Sequence, residues 1–488
     1  MAIHKSFKQF TETATVHGLY KIGHSSSTLK RAAWTIVVVG LFGALVYQLT
    51  LLLIDHFSYK TYTEIDKITA TTMQFPSVTI CHTNNFKLSE FKKIVPNIKE
   101  LVEKTRNKSI LFNSIIPIRS SDVARYEKVF KSNSTLNKQL SSTPGALQWK
   151  FMDWCTWTSV IECKYPDDFA DFFYVSSMGF CTTFNPKGKY TQISAGHAFG
   201  LELKLFVDQS DKVPTLVEGS GGVTVMVHPK EIYPNPMSEA MLIPTGFQTR
   251  IALKKTVHHR QKSPYSSNCT DGKGIFQIHP GNYTVKNCQY TCFMKAALEI
   301  CGDREAAYQY HKPIQYAESL KRFKSKNVSD ISIGACFRQI YDKYLQNKLK
   351  CDCPPSCIEH RIHRTASSAQ WPQLADMEYY RPLIAKFTNK TTVSNQDVYN
   401  SLVSLQIYYE ELGHDEIREQ VASPLSKLAS NIGGQFGLWL GASFFSVTEV
   451  IVYLFTSVVR VYQHKIRPAK EFETNTHVQQ LNYMNNDY

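Results

Sequence analysis

The segment IGGQFGLWLGASFFSVTEVIVYLFTSVV, residues 432–459, decides the fold of this chain. It carries one charged side chain, Glu449, among its 28 residues. Since an α-helix rises about 1.5 Å per residue, roughly 20 apolar residues cross the hydrocarbon core of a bilayer. The segment reaches that length and exceeds nearly all buried helices of soluble domains. It therefore predicts a membrane span.

A second window, AAWTIVVVGLFGALVYQLTLLLI at residues 32–54, carries no charge. It is too long for the core of a signal peptide and lacks a small-residue cleavage site, so we predict another span. Lysine and arginine dominate residues 1–31 and recur from Arg460 onward, and basic short flanks stay in the cytoplasm. The predicted order is a cytoplasmic N-terminus (1–31), a span (32–54), an extracellular domain (55–431), a span (432–459) and a cytoplasmic tail (460–488).

Composition and motifs argue against two other classes of protein. The net charge is +14, but lysine and arginine are scattered along the chain, so we expect no nucleic-acid partner. The sequence contains neither a Gly-x-Ser-x-Gly elbow nor a His-Glu-x-x-His helix. The glycine-rich run at residues 219–222 precedes a strand pattern and is interpreted as a turn. We therefore expect no enzyme, no bound metal and no cofactor.

The residues between the two windows have the pattern of an α+β domain. Period-two alternation predicts strands at residues 75–81, 201–207, 223–228 and 402–409. Charge-rich helical patterns lie at residues 88–104, 288–298, 306–327 and 372–386. Strands that form a central sheet, with helices collected at its edges, are typical of this class.

All 12 cysteines lie between the two windows, which indicates disulfide bonds formed in an oxidising compartment. Six acceptor sequons for N-glycosylation lie there too, at Asn107, Asn133, Asn268, Asn282, Asn327 and Asn389. Both features support an extracellular location for this domain.

Spacing suggests how the cysteines pair. On a helix Cys288 and Cys292 share one face about 6 Å apart, and on an extended segment Cys351 and Cys353 share one face about 6.6 Å apart. These matching rises favour the rungs Cys292–Cys351 and Cys288–Cys353. Nesting and elimination then add Cys269–Cys357, Cys301–Cys336, Cys155–Cys163 and Cys81–Cys181. Spacing alone leaves other connectivities open. A zinc site at residues 351–357 is disfavoured because no second cysteine or histidine pair lies at a finger-like distance.

Five motifs occur in a set order along the chain. They are His17-Gly18, Phe75-Pro-Ser-Val-Thr-Ile-Cys81, Gly179-Phe-Cys-Thr-Thr-Phe-Asn185, Cys351-x-Cys-Pro-x-x-Cys357 and Gly433-Gly-Gln-x-Gly-Leu-x-x-Gly-Ala-Ser443. This ordered set resembles the degenerin/epithelial sodium channel family. The resemblance implies an amiloride-sensitive, sodium-permeable channel of the plasma membrane, assembled as a homo- or hetero-trimer in the lipid bilayer. It also implies a hand-like extracellular domain with a palm sheet, a disulfide-laddered thumb, and finger and knuckle regions.

The resemblance also implies where the pore lies. Gly441, Ala442 and Ser443 would form a selectivity filter that interrupts the second span, with His17 and Gly18 on a cytoplasmic re-entrant loop below it. The excess length of the segment fits such a break, because exposed backbone at membrane depth is tolerated where it lines a water-filled path. Small residues let three chains approach closely and turn their carbonyls toward an ion.

Four further residues are expected at the pore or its gate: Ser430, Gly433, Gly437 and Glu449. Ser430 matches the family position at which bulky side chains hold the gate open. Gly433 and Gly437 are also spaced as a helix-packing motif, and we expect them to serve packing. A carboxylate that faces lipid is unfavourable, so Glu449 should face the pore or a partner. The alternative for Glu449 is a side chain that reaches the inner interface.

The sequence constrains the opening stimulus in part. Acid-sensing relatives carry a histidine pair where Tyr59 is followed here by Lys60 and Thr61. Two facing acids of their palm correspond here to Lys67 and Asp415, and a Lys–Asp pair stays ionised across the physiological range. We therefore expect weak activation by mild acid and, by elimination, an extracellular peptide as the ligand.

Tyr59 and Tyr265 resemble an aromatic contact that links the thumb to the first span. Rigid packing there could transmit movement, and simple core packing is the alternative. Proton gating or constitutive opening within the same family are alternative behaviours. Outside the family, an ATP-gated two-span cation channel or a non-conducting adhesion or receptor protein would share the topology.

Overall fold

The computed structural model describes residues 18–82, 88–89, 154–164, 167–175, 179–207, 209–211, 220–278, 281–301, 340–388, 390–443, 445–446, 448–456 and 458–459. Several predictions fall outside these residues: those for His17, the Cys301–Cys336 bridge, Asn107, Asn133, Asn327, Asn389, the helix at 306–327 and nearly all of the helix at 88–104.

The described helices are α1 (Leu19–His24), α2 (Thr28–Phe57), α3 (Pro236–Glu239), α4 (Val285–Cys301), α5 (Met377–Thr388), α6 (Asn395–Ser401) and α7 (Leu425–Leu440). The strands are β1 (Thr61–Thr69), β2 (Met73–Gln74), β3 (Ser77–His82), β4 (Trp154–Trp157), β5 (Ile161–Glu162), β6 (Phe169–Val175), β7 (Gly179–Phe184), β8 (Thr191–Gln192), β9 (Leu201–Phe206), β10 (Val223–His228), β11 (Met241–Ile243), β12 (Phe247–His259), β13 (Ile358–Gln370) and β14 (Leu402–Val421).

The chain forms two compact units. The first comprises Met1–Tyr62, Pro264–Ser266 and Gln420–Tyr488, and the second comprises Thr63–Ser263 and Ser267–Glu419. The first unit therefore contains both apolar windows, and the second contains the disulfide-rich sheets.

In the first unit, α2 and α7 pack against each other. Within the described ranges, α2 is the one helix that is long and apolar enough to cross a membrane. It extends beyond the predicted 32–54 at both ends, because hydropathy marks the apolar stretch and not the helix boundaries. The second window is not one continuous helix: α7 ends at Leu440, residues 441–443 are not helical, and helical backbone is present again at residues 445–446, 448–456 and 458–459.

The second unit contains two large sheets. The seven-stranded sheet has the order β13-β12-β14-β9-β4-β5, with β1 also paired to β14, and the five-stranded sheet has the order β11-β10-β3-β7-β6. The inner faces of both sheets contribute to one apolar core. Phe75 is fully buried in this core, with its ring 4.7 Å from the ring of Trp157 and 6.1 Å from that of Tyr409. Edge-to-face packing of this kind adds to the stabilisation from burial.

The predicted strands are present, although the one predicted at residues 75–81 begins only at Ser77. Two other strands differ in burial or in length. All six residues of β10 are buried, because its second face packs on the disulfide between Cys81 and Cys181 through Met226. β14 continues to Val421, well past the predicted end at residue 409. Its charged second half lacks apolar alternation, but ion pairs with β1 and β12 satisfy the charges.

Five disulfides join ten of the described cysteines in the same pairs as predicted: Cys81–Cys181, Cys155–Cys163, Cys269–Cys357, Cys288–Cys353 and Cys292–Cys351. The two central rungs connect α4 to an extended segment, and each spans 5.8 Å between Cα atoms. Equal spans are what the matched i,i+4 and i,i+2 spacings require.

Candidate pore and gating residues

The backbone breaks at the three residues expected to form a selectivity filter. Gly441 has φ 59° and ψ 22°, a left-handed conformation that ends α7. Its N–H donates to the Gly437 carbonyl at 3.0 Å. Ser443 N–H then donates to the Ser446 hydroxyl at 3.0 Å, at the start of the next helical stretch. Residues 441–443 are therefore a non-helical link between two helical segments.

One face of α7 is open in the single chain. Ser430, Gly433 and Gly437 are exposed, and a Cβ atom built on either glycine would meet nothing within 4 Å. Leu428, on the opposite face, is 6% exposed. The expected gate residue and the two glycines thus lie on the side of α7 away from its intrachain contacts. Glu449 is half-buried in the helical stretch at residues 448–456.

Gly18 lies close to the first apolar helix. It has φ 88° and precedes α1, and a Cβ built on it would lie 2.6 Å from the Cγ2 atom of Val38 in α2. The left-handed backbone favours glycine here, and any side chain would also crowd the Val38 methyl group.

Tyr59 and Tyr265 are in contact. Their ring centroids lie 5.7 Å apart and their planes are at 89°, an edge-to-face arrangement. Tyr59, two residues after the end of α2, adopts a left-handed φ of 49°.

Two hydrogen bonds near this contact were not predicted from the sequence. His56 Nδ1–H donates to the Ser423 carbonyl at 2.8 Å, and Ala422 N–H donates to the Lys60 carbonyl at 3.0 Å. They tie the end of α2 to the residues just before α7. No local sequence signal indicates them, because the partners are more than 360 residues apart.

Lys67 and Asp415 are not paired with each other, contrary to the expectation from the sequence. Lys67 Nζ lies 2.9 Å from Glu411 Oε2, whereas Asp415 Oδ2 lies 3.1 Å from Lys254 Nζ. Lys254 also lies 3.4 Å from Glu411, so the four side chains form one alternating chain of charge. The cause is a bulge: β14 places four residues between the partners of Leu253 and Lys255, whereas β12 has one.

The charge chain favours the ionised forms. Hydrogen bonds and charge from Lys67, and then Lys254, hold the pKa of Glu411 below its usual value. Asp415, and then Glu411, raise the pKa of Lys254. Glu411 and Lys254 therefore stay charged through mild acid.

Three histidines gather on adjacent strands, which the sequence did not reveal. His259, His360 and His414 come from β12, β13 and β14, and the Nε2 atom of His259 lies 3.3 Å from Glu416 Oε1. Burial, and then the charge of Lys255, lowers the pKa of both His360 and His414. Only the strand register could have revealed this set. No group of three ligands suited to a metal ion occurs in the described residues.

Two predicted glycosylation sites lie in the described residues. Asn268 and Asn282 are both exposed, so a glycan could be accommodated at either position.

Comparison with known proteins identifies the family. The profile of the amiloride-sensitive sodium channel family matches residues 10–453. Epithelial sodium channel subunit gamma of Pan troglodytes is 24% identical over 490 residues, which cover 93% of this chain and 80% of that protein. Subunit alpha of Xenopus laevis is 23% identical over 556 residues, covering 96% and 85%.

A proton-activated chloride channel solved by cryo-EM aligns over 86% of this chain and 96% of its own, with 5% identity and a TM-score of 0.32. That score is too low to support any argument. The family profile covers most of the chain and includes the motifs described above. The chain belongs to the amiloride-sensitive sodium channel family, whose members are plasma-membrane cation channels and not enzymes.

Proposed function

We propose that this chain is one subunit of a trimeric, sodium-permeable, amiloride-sensitive channel. In this proposal residues 32–54 and 432–459 cross the plasma membrane, and both termini are cytoplasmic. α7 lines the pore, and residues 441–443 select the ion, with His17 and Gly18 below them. The observation that carries the proposal is the open, small-residue face of α7 directly before a break in the helix.

The physical reasoning starts from that open face. An uncovered strip of glycine and serine allows three copies of α7 to pack closely around an axis. A non-helical link in an apolar segment leaves backbone groups that must be satisfied by water, ions or protein. Carbonyls at Gly441 and Ala442 are suited to replace part of the hydration shell of a monovalent cation. Glu449, farther along the segment, would add negative charge on the cytoplasmic side.

We further propose that the trimer is either a homomer or a mixture with related subunits. The relatives reported above are named as subunits gamma and alpha, so their names describe components of an assembly. This chain matches both over most of its length, which supports either a homomer or a mixture with such subunits.

For the stimulus, we propose an extracellular peptide. The compensated chain of Lys67, Glu411, Lys254 and Asp415 supports this choice over protons, because it holds no carboxyl pair that must share a proton. The Tyr59–Tyr265 contact would carry the movement toward the membrane helices.

The proposal is tested by voltage clamp on cells that express Ser430→Tyr. A bulky side chain on the open face of α7 should hold the three helices apart, giving a standing inward sodium current that amiloride blocks. The current should vanish when sodium is replaced by a large impermeant cation. Ser430→Ala is the matched control, because it keeps the small side chain, and it should give no standing current.

Surface biotinylation is measured in parallel. If Ser430→Tyr reaches the surface but carries no current, alone or with alpha and gamma subunits, the proposed pore register is wrong. A standing current that is equal in Ser430→Ala would also contradict it.

A further inference from the structure

Glu419 binds both ends of a short segment that has no strand partner of its own. One carboxylate oxygen accepts a hydrogen bond from the Gln261 backbone N–H at 3.0 Å. The other accepts from the Ser267 hydroxyl at 2.5 Å. The Glu419 carbonyl also accepts from Gln261 Nε2 at 2.8 Å. Bonds to a carboxylate are shorter and roughly twice as strong as neutral ones.

The segment 261–267 carries Tyr265 in its interior. It follows β12 and precedes Cys269, and none of its residues belongs to a strand or helix. Its flanks are anchored elsewhere: Cys269 is disulfide-bonded to Cys357, and Arg260 N–H donates to the Cys357 carbonyl at 2.9 Å. Both bonds connect the flanks of the segment to Cys357, the residue just before β13.

The bonds to Glu419 instead connect the segment to β14. Glu419 lies near the end of β14, and α7 begins six residues later at Leu425. Tyr265 contacts Tyr59, just after α2. Glu419 is thus the point at which the segment that carries Tyr265 is tied to the strand that continues into α7.

We infer that Glu419 is a positioning residue for gating, which transmits displacement of the Tyr265 segment to α7 through the end of β14. The inference rests on the proposed function, in which α7 lines the pore. This role depends on the hydrogen bonds that the Glu419 side chain makes to Gln261 and Ser267, and not on its charge alone. A glutamine at this position still offers one oxygen to Gln261 N–H, and its amide can donate to the Ser267 hydroxyl oxygen.

The first test needs no current. A single thiol is introduced as Tyr265→Cys, and its rate of modification by a membrane-impermeant maleimide is measured on intact cells. Loss of one hydrogen bond shifts a local equilibrium by about fivefold, so Glu419→Ala should raise the rate by at least about fivefold. Ser267→Ala, which removes one bond, should give a smaller rise. Glu419→Gln should stay near the parent rate.

Glu410→Ala is the matched control, because Glu410 is an exposed acid on the same strand. It should leave the rate unchanged. Equal rates in Glu419→Ala, Ser267→Ala and Glu410→Ala would overturn the inference. Ser267→Ala keeps the test decisive if Glu419→Ala fails to reach the surface.

The second test measures the standing current through the channel. In the Ser430→Tyr background, attaching a bulky charged maleimide to Tyr265→Cys should change the standing current. The change should be lost in Glu419→Ala, although the thiol is still labelled, and restored in Glu419→Gln. An undiminished response in Glu419→Ala would refute the coupling role. Absence of any standing current would count against the proposed function, while the labelling rates would still decide the role of Glu419.

Discussion

Replacing Gly413 by alanine should force β1 and β14 apart. Gly413 has φ 150°, and a Cβ built on it would lie 2.3 Å from the carbonyl oxygen of Ile68 and 3.3 Å from Thr69 Cα. Both are backbone positions of β1, so no side chain can swing away. Ordinary contact begins at 3.4 Å, and the strand must therefore move by about 1 Å.

The loss of unfolding free energy expected for Gly413→Ala has two separate contributions. An unfavourable positive-φ backbone costs about 1–2 kcal/mol for alanine. Overpacking against a fixed group adds about 1–3 kcal/mol. Gly196→Ala isolates the first contribution, because Gly196 has φ 102° and a Cβ there would meet nothing within 4 Å. Gly413→Ala should therefore lose about 1–3 kcal/mol more than Gly196→Ala.

The assay is thermal unfolding of the detergent-solubilised protein, followed by size-exclusion chromatography of the heated sample. One kcal/mol corresponds to about 2–4 °C for domains of 150–250 residues, so Gly413→Ala should melt at least about 2 °C below Gly196→Ala. Equal melting temperatures for the two variants would refute the steric reasoning, since both share the backbone penalty.

Two predictions concern pH. Because burial lowers the pKa of His360 and His414, their unfolded forms bind more protons, so stability should be full above about pH 6.5 and fall as the pH drops through that value. Melting temperatures at pH 7.5, 6.5 and 5.5 should show this decline, and the double variant His360→Gln/His414→Gln should flatten it; an unchanged slope would contradict the assignment. Mild acid should also evoke little or no current, because the pKa of Glu411 is lowered and that of Lys254 raised; large sustained currents at pH 6 would disprove this.

Local spacing predicted part of this structure well. The rungs from Cys288 and Cys292 followed from matched rises on a helix and an extended segment, which depend only on backbone geometry. The strand positions followed from alternation. The contact between Tyr59 and Tyr265 came from family resemblance, since no pattern in the chain relates residues about 200 apart.

The missed features depend on long-range register. The bulge in β14 decided that Lys67 meets Glu411 and that Asp415 meets Lys254, and a bulge of this kind leaves no trace in alternation. Likewise, Glu419 lies in a run of charged residues, a pattern that predicts a solvent-exposed surface. Its partners are identified only when segment 261–267 is placed beside the end of β14.

The hydrogen bonds from His56 to Ser423 and from Ala422 to Lys60 hold the end of α2 and the start of α7 together. If α7 tilts about this fixed end, each of its residues moves away from α2 in proportion to its distance from that end. α7 has 16 residues, a lever of about 24 Å, so a tilt of about 5° displaces Leu440 by roughly 2 Å while Leu425 hardly moves. In the proposed pore, such a tilt would widen the passage most at the depth of Gly441–Ser443, by roughly 2 Å, which is comparable to the radius of a water molecule.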